Sequence, residues 1–266
     1  MDRKKSIGIF DSGVGGLSIA KAISQLLPRE NLVYFADKEF SPYGNKSKDV
    51  IQKRTEDIAN FLIQQNCKVI VVACNTATVN SINILRTKLS IPIIGVEPAI
   101  KPAALQSKTG IIGVLATEQT LASESFQQFT SKYSENISIE TKACPQFVSL
   151  VESRNHNSKQ AHDAAEQYIR PLLLQGCDQI VLGCTHFSFL KTTIKNIVGN
   201  EINIIDTAYP VAKEVAKRVQ SNNLETSDST NGTIEFWTSG NSSQAVESIS
   251  ELWGQKIKVS SIQQFT

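Results

Sequence analysis

VIVVACNTA, at residues 69–77, is a continuous apolar run that ends in a cysteine and is followed by polar residues. A run of this kind is typical of a strand buried on both faces of a parallel sheet. The segment QIVLGCTHF, at residues 179–187, repeats the arrangement, with Cys184 in the place of Cys74. We therefore predict two related strands, each with a cysteine at its carboxyl end.

A second echo joins the segments IGIFDS, at residues 7–12, and IGVLAT, at residues 112–117. Two echoes in the same order indicate an internal repeat of one structural unit. Because α/β proteins build their sites at the carboxyl edges of their strands, the residues that end these strands are candidates for function. They are Ser12 and Cys74 in the first unit, and Thr117 and Cys184 in the second.

Short runs rich in β-branched residues alternate with longer amphipathic stretches, which is typical of an α/β fold with mainly parallel sheets. The predicted strands span residues 6–11, 31–36, 68–74, 92–96, 110–116, 137–143, 179–184, 202–206 and 233–238. The predicted helices span residues 48–65, 77–89, 118–131, 158–174, 209–220 and 242–253. The polar segment 221–232 is predicted to be a surface loop.

The chain is predicted to pass between two domains at two places. Pro98 and Pro102 follow the fourth predicted strand and favour a turn there. A second crossing is predicted near Asp206 and Thr207. The first domain would then comprise residues 1–97 plus 208–266, and the second residues 98–207.

Charge and composition exclude several classes of protein. The 27 lysines and arginines are interspersed with 25 acidic residues, so neither nucleic acid nor a membrane surface is predicted as a partner. The apolar stretch after the basic start is too short for a signal peptide, and no run approaches the roughly 20 apolar residues that span a bilayer. We expect a cytoplasmic protein, in which five cysteines without a CxxC pair are free thiols.

Cys74 and Cys184 are poorly explained by packing, because each precedes hydroxyl or amide residues at the end of an apolar strand. Backbone N–H groups at a helix N-terminus lower the pKa of a nearby thiol, so we expect both sulfurs to be thiolates part of the time. An inert core residue is the commoner role of one buried cysteine, but two in parallel settings favour chemistry. Cys67, Cys144 and Cys177 lack such neighbours and are assigned to the core.

Four polar residues that follow the two cysteines are predicted to begin helices, with free N–H groups aimed into a cleft: Asn75, Thr76, Thr185 and His186. Such positions suit a carboxylate or another anion. Asn75 and Thr185 also suit plain helix capping, and capping and ligand binding can coexist. His156 and His162 lie in a polar segment that we expect to be exposed, and they are assigned no role.

The loop DSGVGG, at residues 11–16, follows a strand and opens a helix, as phosphate-binding loops do. It does not match GxGxxG, and Asp11 would repel a phosphate, so nucleotide binding is disfavoured. Asp11 is better explained as a partner for an ammonium group or as a proton relay near Cys74.

Five segments stand in the order and spacing seen in glutamate racemases: FDSGVGGLSI, PYG, VVACNTAT, EPAIKPA and VLGCTHF. Together they resemble that family closely over the chain to about residue 206. Aspartate racemases, which share the paired cysteines, are less similar around PYG and CTHF. One loop departs from the family, because Ala36, Asp37 and Lys38 stand where Gly-Asp-Thr is usual and the usual arginine is absent. The departure leaves the shape of the loop before Tyr43 open.

The resemblance implies two pseudo-symmetric α/β domains with mainly parallel sheets and an active site in the cleft between them. It implies that Cys74 and Cys184 exchange the alpha proton of glutamate from opposite faces, without pyridoxal phosphate, a metal or another cofactor. It implies that Asp11, Glu152 and His186 tune the two thiols. The implied substrate-binding residues are Asp11, Ser12, Tyr43, Gly44, Asn75, Thr76, Thr117, Thr185 and His186.

The implied role is the supply of D-glutamate for peptidoglycan synthesis, and thus for cell wall biogenesis and cell shape. The family also makes a homodimer an expected assembly. Two alternatives stay open from the sequence. One is a racemase for aspartate or another amino acid. The other is a non-catalytic amino-acid-binding module in which the cysteines are incidental.

Overall fold

A computed structural model describes residues 5–133 and 137–265 of the chain. The basic start at residues 1–4, for which no signal peptide is predicted, lies outside these residues. The strands are β1 (Ser6–Asp11), β2 (Leu32–Ala36), β3 (Cys67–Val72), β4 (Ile93–Gly95), β5 (Ile111–Ala116), β6 (Ser138–Ala143), β7 (Gln179–Leu182), β8 (Asn203–Ile205), β9 (Ile234–Ser239) and β10 (Val259–Ile262).

The helices lie between these strands, as the alternating pattern predicts. They are α1 (Leu17–Leu26), α2 (Lys48–Gln64), α3 (Asn75–Lys88), α4 (Ile100–Gln106), α5 (Glu118–Ala122), α6 (Glu124–Ser131), α7 (Pro145–Glu152), α8 (Lys159–Leu174), α9 (Lys191–Val198), α10 (Ala208–Ser221) and α11 (Ser242–Trp253). Short 3₁₀ turns span Lys38–Phe40, Tyr43–Asn45 and Thr185–Leu190. No helix within residues 5–133 and 137–265 combines the length and apolarity needed to cross a bilayer.

The strands form two parallel sheets with the same internal order. In the first sheet the order is β10-β9-β2-β1-β3-β4, and in the second it is β6-β5-β7-β8. Counted along the chain within each unit, both sheets have the strand order 2-1-3-4, so β1 to β4 correspond to β5 to β8. The first sheet also has β9 and β10, which lie beside β2. The predicted α/β class and internal repeat are confirmed, because β1 matches β5 and β3 matches β7.

One apolar cluster spans the two sheets, and each sheet has a further cluster on its other face. A continuous cluster of buried side chains includes Ile7 and Val69 from the first sheet and Ile180 and Leu182 from the second. Every residue of β3 and β7 is buried, because helices cover both faces of a parallel sheet. This packing keeps the carboxyl edges of the two sheets close together.

Several elements differ from the sequence prediction. The helix predicted over residues 118–131 is wrong as a single element, because Ser123 ends α5 and its hydroxyl caps α6 by accepting a hydrogen bond from the Phe126 N–H. Helices α4, α7 and α9 and strand β10 were not predicted. Each is short, between four and eight residues, so its periodic signal is weak.

The segment predicted as a surface loop, residues 221–232, is anchored to the first sheet. Its Leu224 side chain is buried, and the Gly232 N–H donates to Pro28 O over 2.9 Å. The Thr226 N–H donates to Glu30 Oε1 over 2.8 Å, and Lys68 Nζ lies 2.5 Å from Glu30 Oε2. Both charged side chains of this ion pair are buried. The anchor lies at the amino ends of β2 and β3, away from the carboxyl edge.

Candidate active site

Residues from both sheets meet at the carboxyl edges of the strands. Asp11 ends β1, Cys74 follows β3, Thr117 follows β5 and Cys184 follows β7. All four are buried. Equivalent strands of the two repeats thus deliver an acidic or hydroxyl group and a thiol to one place.

Cys74 is held by the start of α3 and by the loop after β1. Its sulfur accepts a hydrogen bond from the Ala77 N–H over 3.4 Å, and its thiol donates to Ser12 Oγ over 3.7 Å. Burial raises the pKa of the Cys74 thiol well above its ordinary value, and the charges of Asp11 and Cys184 raise the pKa further. The expectation that the helix N-terminus lowers this pKa is therefore wrong for Cys74, since desolvation outweighs the two hydrogen bonds.

Asp11 lies beside Cys74 and is fully buried. Its Oδ2 accepts a hydrogen bond from the Gly16 N–H over 2.8 Å, which closes the loop after β1. Burial raises the pKa of this carboxyl group, while the His186 imidazole and the Gly16 N–H oppose the rise. The carboxyl group is thus placed to influence the thiol, and no phosphate-binding geometry is needed to explain the loop.

Cys184 faces a histidine whose other ring nitrogen is bonded to a carboxylate. His186 Nδ1 lies 3.8 Å from Cys184 Sγ, and His186 Nε2 lies 2.7 Å from Glu152 Oε1. Burial lowers the pKa of His186, but hydrogen bonds with Cys184 and Glu152 outweigh it and raise the pKa well above its ordinary value. The protonated imidazole is therefore favoured, and it can exchange a proton with the sulfur.

Glu152, at the end of α7, is held in its ionised form. Burial would raise its pKa, but the hydrogen bond and charge of His186, the charge of Lys38 and the Val14 N–H together lower the pKa to about 2. The Val14 N–H donates to Glu152 Oε1 over 2.8 Å. The first strand's loop and the second sheet's helix therefore share this carboxylate.

The glycines of the DSGVGG loop allow that close approach. A Cβ atom on Gly13 would lie 1.8 Å from Glu152 Oε1, and one on Gly15 would lie 2.4 Å from His186 Nδ1. Both distances are far below van der Waals contact. The loop is thus rich in glycine because its backbone packs directly against the groups that face Cys184.

Three threonine hydroxyls form a small buried cluster between the sheets. Thr76 Oγ1 lies 3.0 Å from Thr117 Oγ1, and Thr120 Oγ1 lies 2.9 Å from Thr117 Oγ1 and 3.3 Å from Thr76 Oγ1. A Cβ atom on Gly44 would lie 3.3 Å from Thr117 Cβ, so the loop containing Gly44 also reaches this cluster. Thr120 was not predicted as a site residue. Its position three residues after Thr117 could have indicated it, because residues three apart lie on the same face at the start of a helix.

Two buried polar atoms at the strand ends lack partners. Asn75 Oδ1 and Thr185 Oγ1 make no hydrogen bond within residues 5–133 and 137–265. Buried polar groups are nearly always hydrogen-bonded, so such atoms are expected where a ligand binds. Plain capping does not account for Asn75, because the N-cap of α3 is Cys74 and Asn75 is the first helical residue.

The loop before Tyr43 is fixed by Asp37. The Tyr43 hydroxyl donates to Asp37 Oδ2 over 2.5 Å, and the Arg54 guanidinium donates to both Asp37 oxygens. Arg54 also stacks 3.8 Å from the centre of the Phe40 ring. The loop has no arginine of its own, and Arg54 of α2 organises it instead.

The remaining cysteines and histidines take no part in the hydrogen bonds described above, although Cys144 lies near enough to Cys184 for that charge to raise the Cys144 pKa. Cys67, Cys144 and Cys177 are buried, and burial raises the pKa of Cys67 to about 12 and that of Cys177 to about 11. His162 is exposed, but the expected exposure of His156 is wrong, because its ring packs against Phe189 and is buried. Among the residues that the structure describes, no group of three or more His, Cys, Asp or Glu side chains could hold a metal ion.

The sequence and fold match known proteins along most of the chain. The model of the Asp/Glu/hydantoin racemase family matches residues 7–215. A glutamate racemase of Methylococcus capsulatus is 41% identical over 247 residues, which cover 93% of this chain and 91% of that protein. A glutamate racemase of Pseudomonas putida is 39% identical and covers 98% of both chains.

Solved structures agree with these sequence matches. A glutamate racemase isoform of Bacillus anthracis superposes with a TM-score of 0.89 at 32% identity, covering 97% of both chains. A glutamate racemase of Francisella tularensis, solved in complex with D-glutamate, has a TM-score of 0.86 at 28% identity and covers 98% of both chains.

Proposed function

This chain belongs to the Asp/Glu/hydantoin racemase family, and we propose that it interconverts L-glutamate and D-glutamate by moving the alpha proton between Cys74 and Cys184. The observation that carries the proposal is the pairing of two buried cysteines at the ends of equivalent strands, close enough for the charge of one to raise the pKa of the other. The names of the curated relatives and solved structures support glutamate as the substrate.

The proposed reaction needs one sulfur on each face of the alpha carbon. A base takes the alpha proton from one face, the electron pair stays on the carbon, and an acid returns a proton to the opposite face. Returning the proton to the same face would regenerate the starting enantiomer. In one direction Cys74 acts as thiolate and Cys184 as thiol, and in the other direction the roles are exchanged.

Neighbouring groups would support each thiol separately. Asp11 and Ser12 contact the Cys74 side of the site, and we propose that they adjust proton transfer there. His186, oriented by Glu152, would serve Cys184 in the same way. The two repeats thus supply different acid–base partners to chemically identical sulfurs.

The carbanion formed from glutamate requires stabilisation around its carboxylate. We propose that Asn75 and Thr185 contact the substrate, because Asn75 Oδ1 and Thr185 Oγ1 are buried and make no hydrogen bond within the described ranges. Asn75 Oδ1 is an acceptor and suits the substrate ammonium group, whereas the Thr185 hydroxyl can donate to the carboxylate. Loss of one such stabilising donor typically costs on the order of 3 kcal/mol, about a hundredfold in rate. The further proposed substrate contacts are Asp11, Ser12, Tyr43, Gly44, Thr76, Thr117 and His186.

A substrate comparison tests the proposed function directly. Purified protein is assayed on the L and D forms of glutamate and of aspartate without added cofactor, by circular dichroism or coupled enzymes. We expect racemisation of both glutamate enantiomers and little turnover of aspartate. Preferred turnover of aspartate would indicate the other racemase, and tight binding without turnover would indicate a binding module.

Deuterium labelling tests the two-face mechanism. In deuterated water, the product enantiomer should carry deuterium at its alpha carbon from the first turnover, because the acid that delivers the proton exchanges with solvent. Mass spectrometry of the separated enantiomers provides the measurement. Retention of the original hydrogen in the product would contradict a mechanism with two separate acid–base groups.

The raised pKa of Cys74 predicts activation by alkali. Burial and the Asp11 charge hold this thiol protonated at neutral pH, so the fraction of protein with one thiolate in the pair rises as pH increases toward that pKa. We expect kcat/KM for glutamate to increase between pH 7 and 8.5, by at most about tenfold per unit for a single ionisation. A pH-independent kcat/KM over this range would argue against a buried thiol as the base.

The cellular setting is proposed on chemical grounds. Thiol acid–base groups require a reducing compartment such as the cytoplasm, and the five cysteines are free. D-glutamate made there would serve peptidoglycan synthesis. We also propose the domain division at residues 1–97 plus 208–266 and 98–207, which is supported by the membership of the two sheets. The homodimer remains a prediction that sedimentation can test.

A further inference from the structure

Lys38 lies directly after β2, in the first of the 3₁₀ turns, and reaches the second sheet's part of the site. Its Nζ is 3.1 Å from Glu152 Oε2 and donates to Ser248 Oγ over 2.9 Å. The Lys38 and Glu152 side chains are 20% and 16% exposed. This ion pair is therefore well shielded from water, unlike an ordinary surface pair.

The two oxygens of Glu152 have different environments. Oε1 contacts His186 and accepts from the Val14 N–H. Oε2 is buried and accepts no hydrogen bond of good geometry within the described part of the chain, so the Lys38 ammonium compensates its charge as an ion pair. Without Lys38, this oxygen would keep a buried negative charge with no cation of its own.

The C-terminal helix α11 holds Lys38 from the other side. Ser248 lies on α11, is buried and donates its own hydroxyl to Ala245 O over 3.3 Å. A second contact joins α11 to the end of α7, because Arg154 lies 2.9 Å from Glu247. That second pair is exposed, with 43% and 65% of the side chains accessible, and contributes little.

We propose that Lys38 is a positioning residue that fixes Glu152, and through Glu152 the imidazole of His186 that faces Cys184, with helix α11 holding the ammonium through Ser248. The inference rests on the proposed racemase function. It assigns a role to the C-terminal helix, which lies beyond the residues matched by the family model. The polar partners of Lys38 are Glu152 and Ser248, so we expect it to act on the rate through the carboxylate and the imidazole.

Replacing Lys38 with methionine keeps an unbranched side chain that is one atom shorter and removes its charge. We expect kcat for glutamate to fall about tenfold with KM changed less than about threefold, since hydrogen bonds and ion pairs at buried charges have effects of this size. Lys38→Arg should recover most of the loss. Lys53→Met is the matched control, because Lys53 forms an exposed pair with Asp57 and its loss should leave kcat unchanged.

A double-mutant cycle separates positioning from general damage. If Lys38 acts through Glu152, then Lys38→Met should add almost nothing to the loss caused by Glu152→Gln. Multiplication of the two losses, or a kcat of Lys38→Met within twofold of the parent protein, overturns the proposal. Failure of Lys38→Arg to recover activity also overturns it, because a charge role requires that recovery.

Ser248→Ala provides a second variant in case Lys38→Met does not fold. It keeps the ammonium but removes its anchor, so we expect a loss in kcat of about two- to fivefold with an unchanged circular dichroism spectrum. A folded Ser248→Ala protein with parental kcat would exclude the role of α11. A parent protein inactive on glutamate would refute the proposed function, whereas an active parent insensitive to Lys38 and Ser248 would refute only this inference.

Discussion

Replacement of Cys74 by alanine is expected to lower the racemisation of glutamate at least about a thousandfold in both directions, and Cys184→Ala is expected to do the same. Positioned acid–base groups contribute roughly 10²–10⁴-fold each, and a one-sided site cannot invert the alpha carbon at all. The two enantiomers are equally stable in water, so kcat/KM must fall equally in both directions. Initial rates from each enantiomer measure this.

Each single variant should retain one informative partial reaction. Cys184→Ala keeps a base on one face only, so one enantiomer should slowly exchange its alpha hydrogen with deuterated water while keeping its configuration. Cys74→Ala should do this for the opposite enantiomer. The same enantiomer exchanging in both variants would contradict sulfurs on opposite faces.

Cys177→Ala is the matched control for these substitutions. Its thiol is also buried, at 2% exposure, but Cys177 precedes β7 and so lies at the opposite end of that strand from Cys184. Removing one sulfur there creates a small cavity and costs some stability without touching the site. We expect nearly parental kcat for Cys177→Ala, and full activity of either Cys74→Ala or Cys184→Ala would refute the two-base proposal.

The sequence predicted the strand ends well because their signals are local. A parallel strand buried on both faces is continuously apolar, so the polar residue that ends it is conspicuous, as at Cys74 and Cys184. The repeat then placed Ser12 and Thr117 at equivalent edges, since each directly follows the first strand of its unit, and Asp11 is the last residue of that strand in the first unit. Their shared position at the carboxyl edges of the strands was therefore predictable without knowledge of long-range packing.

Contacts between distant segments were not predictable in the same way. Arg54 reaches Asp37 from the next helix, and Lys38 meets Ser248 from the end of the chain. Their spacing in the sequence does not show whether a charged side chain bonds to a distant residue or is exposed to solvent. The raised pKa of Cys74 was not predictable for a related reason, because the helix N-terminus is a local feature of the sequence whereas the burial of the thiol depends on long-range packing.

Gly15→Ala is expected to reduce kcat/KM for glutamate more than about a hundredfold, although no substrate contact is removed. The new Cβ would lie 2.4 Å from His186 Nδ1 and 2.6 Å from the His186 backbone nitrogen. The backbone atom cannot rotate away, so the loop after β1 and the turn after β7 must separate. A displacement of about 1 Å in a catalytic group can cost about a hundredfold in rate.

Gly199→Ala separates this effect from the general cost of replacing a glycine. A Cβ atom on Gly199 would meet nothing within 4 Å, but its φ of +70° and ψ of −159° lie in a region essentially restricted to glycine, which disfavours alanine by about 1–3 kcal/mol. That variant should melt earlier and keep its activity, whereas Gly15→Ala should lose activity even where circular dichroism shows it folded. An active Gly15→Ala protein would mean that the loop and His186 need not touch during turnover. The same loop donates the Val14 N–H to Glu152. An active Gly15→Ala protein would therefore also mean that the two halves of the site work without the close approach that the glycines permit.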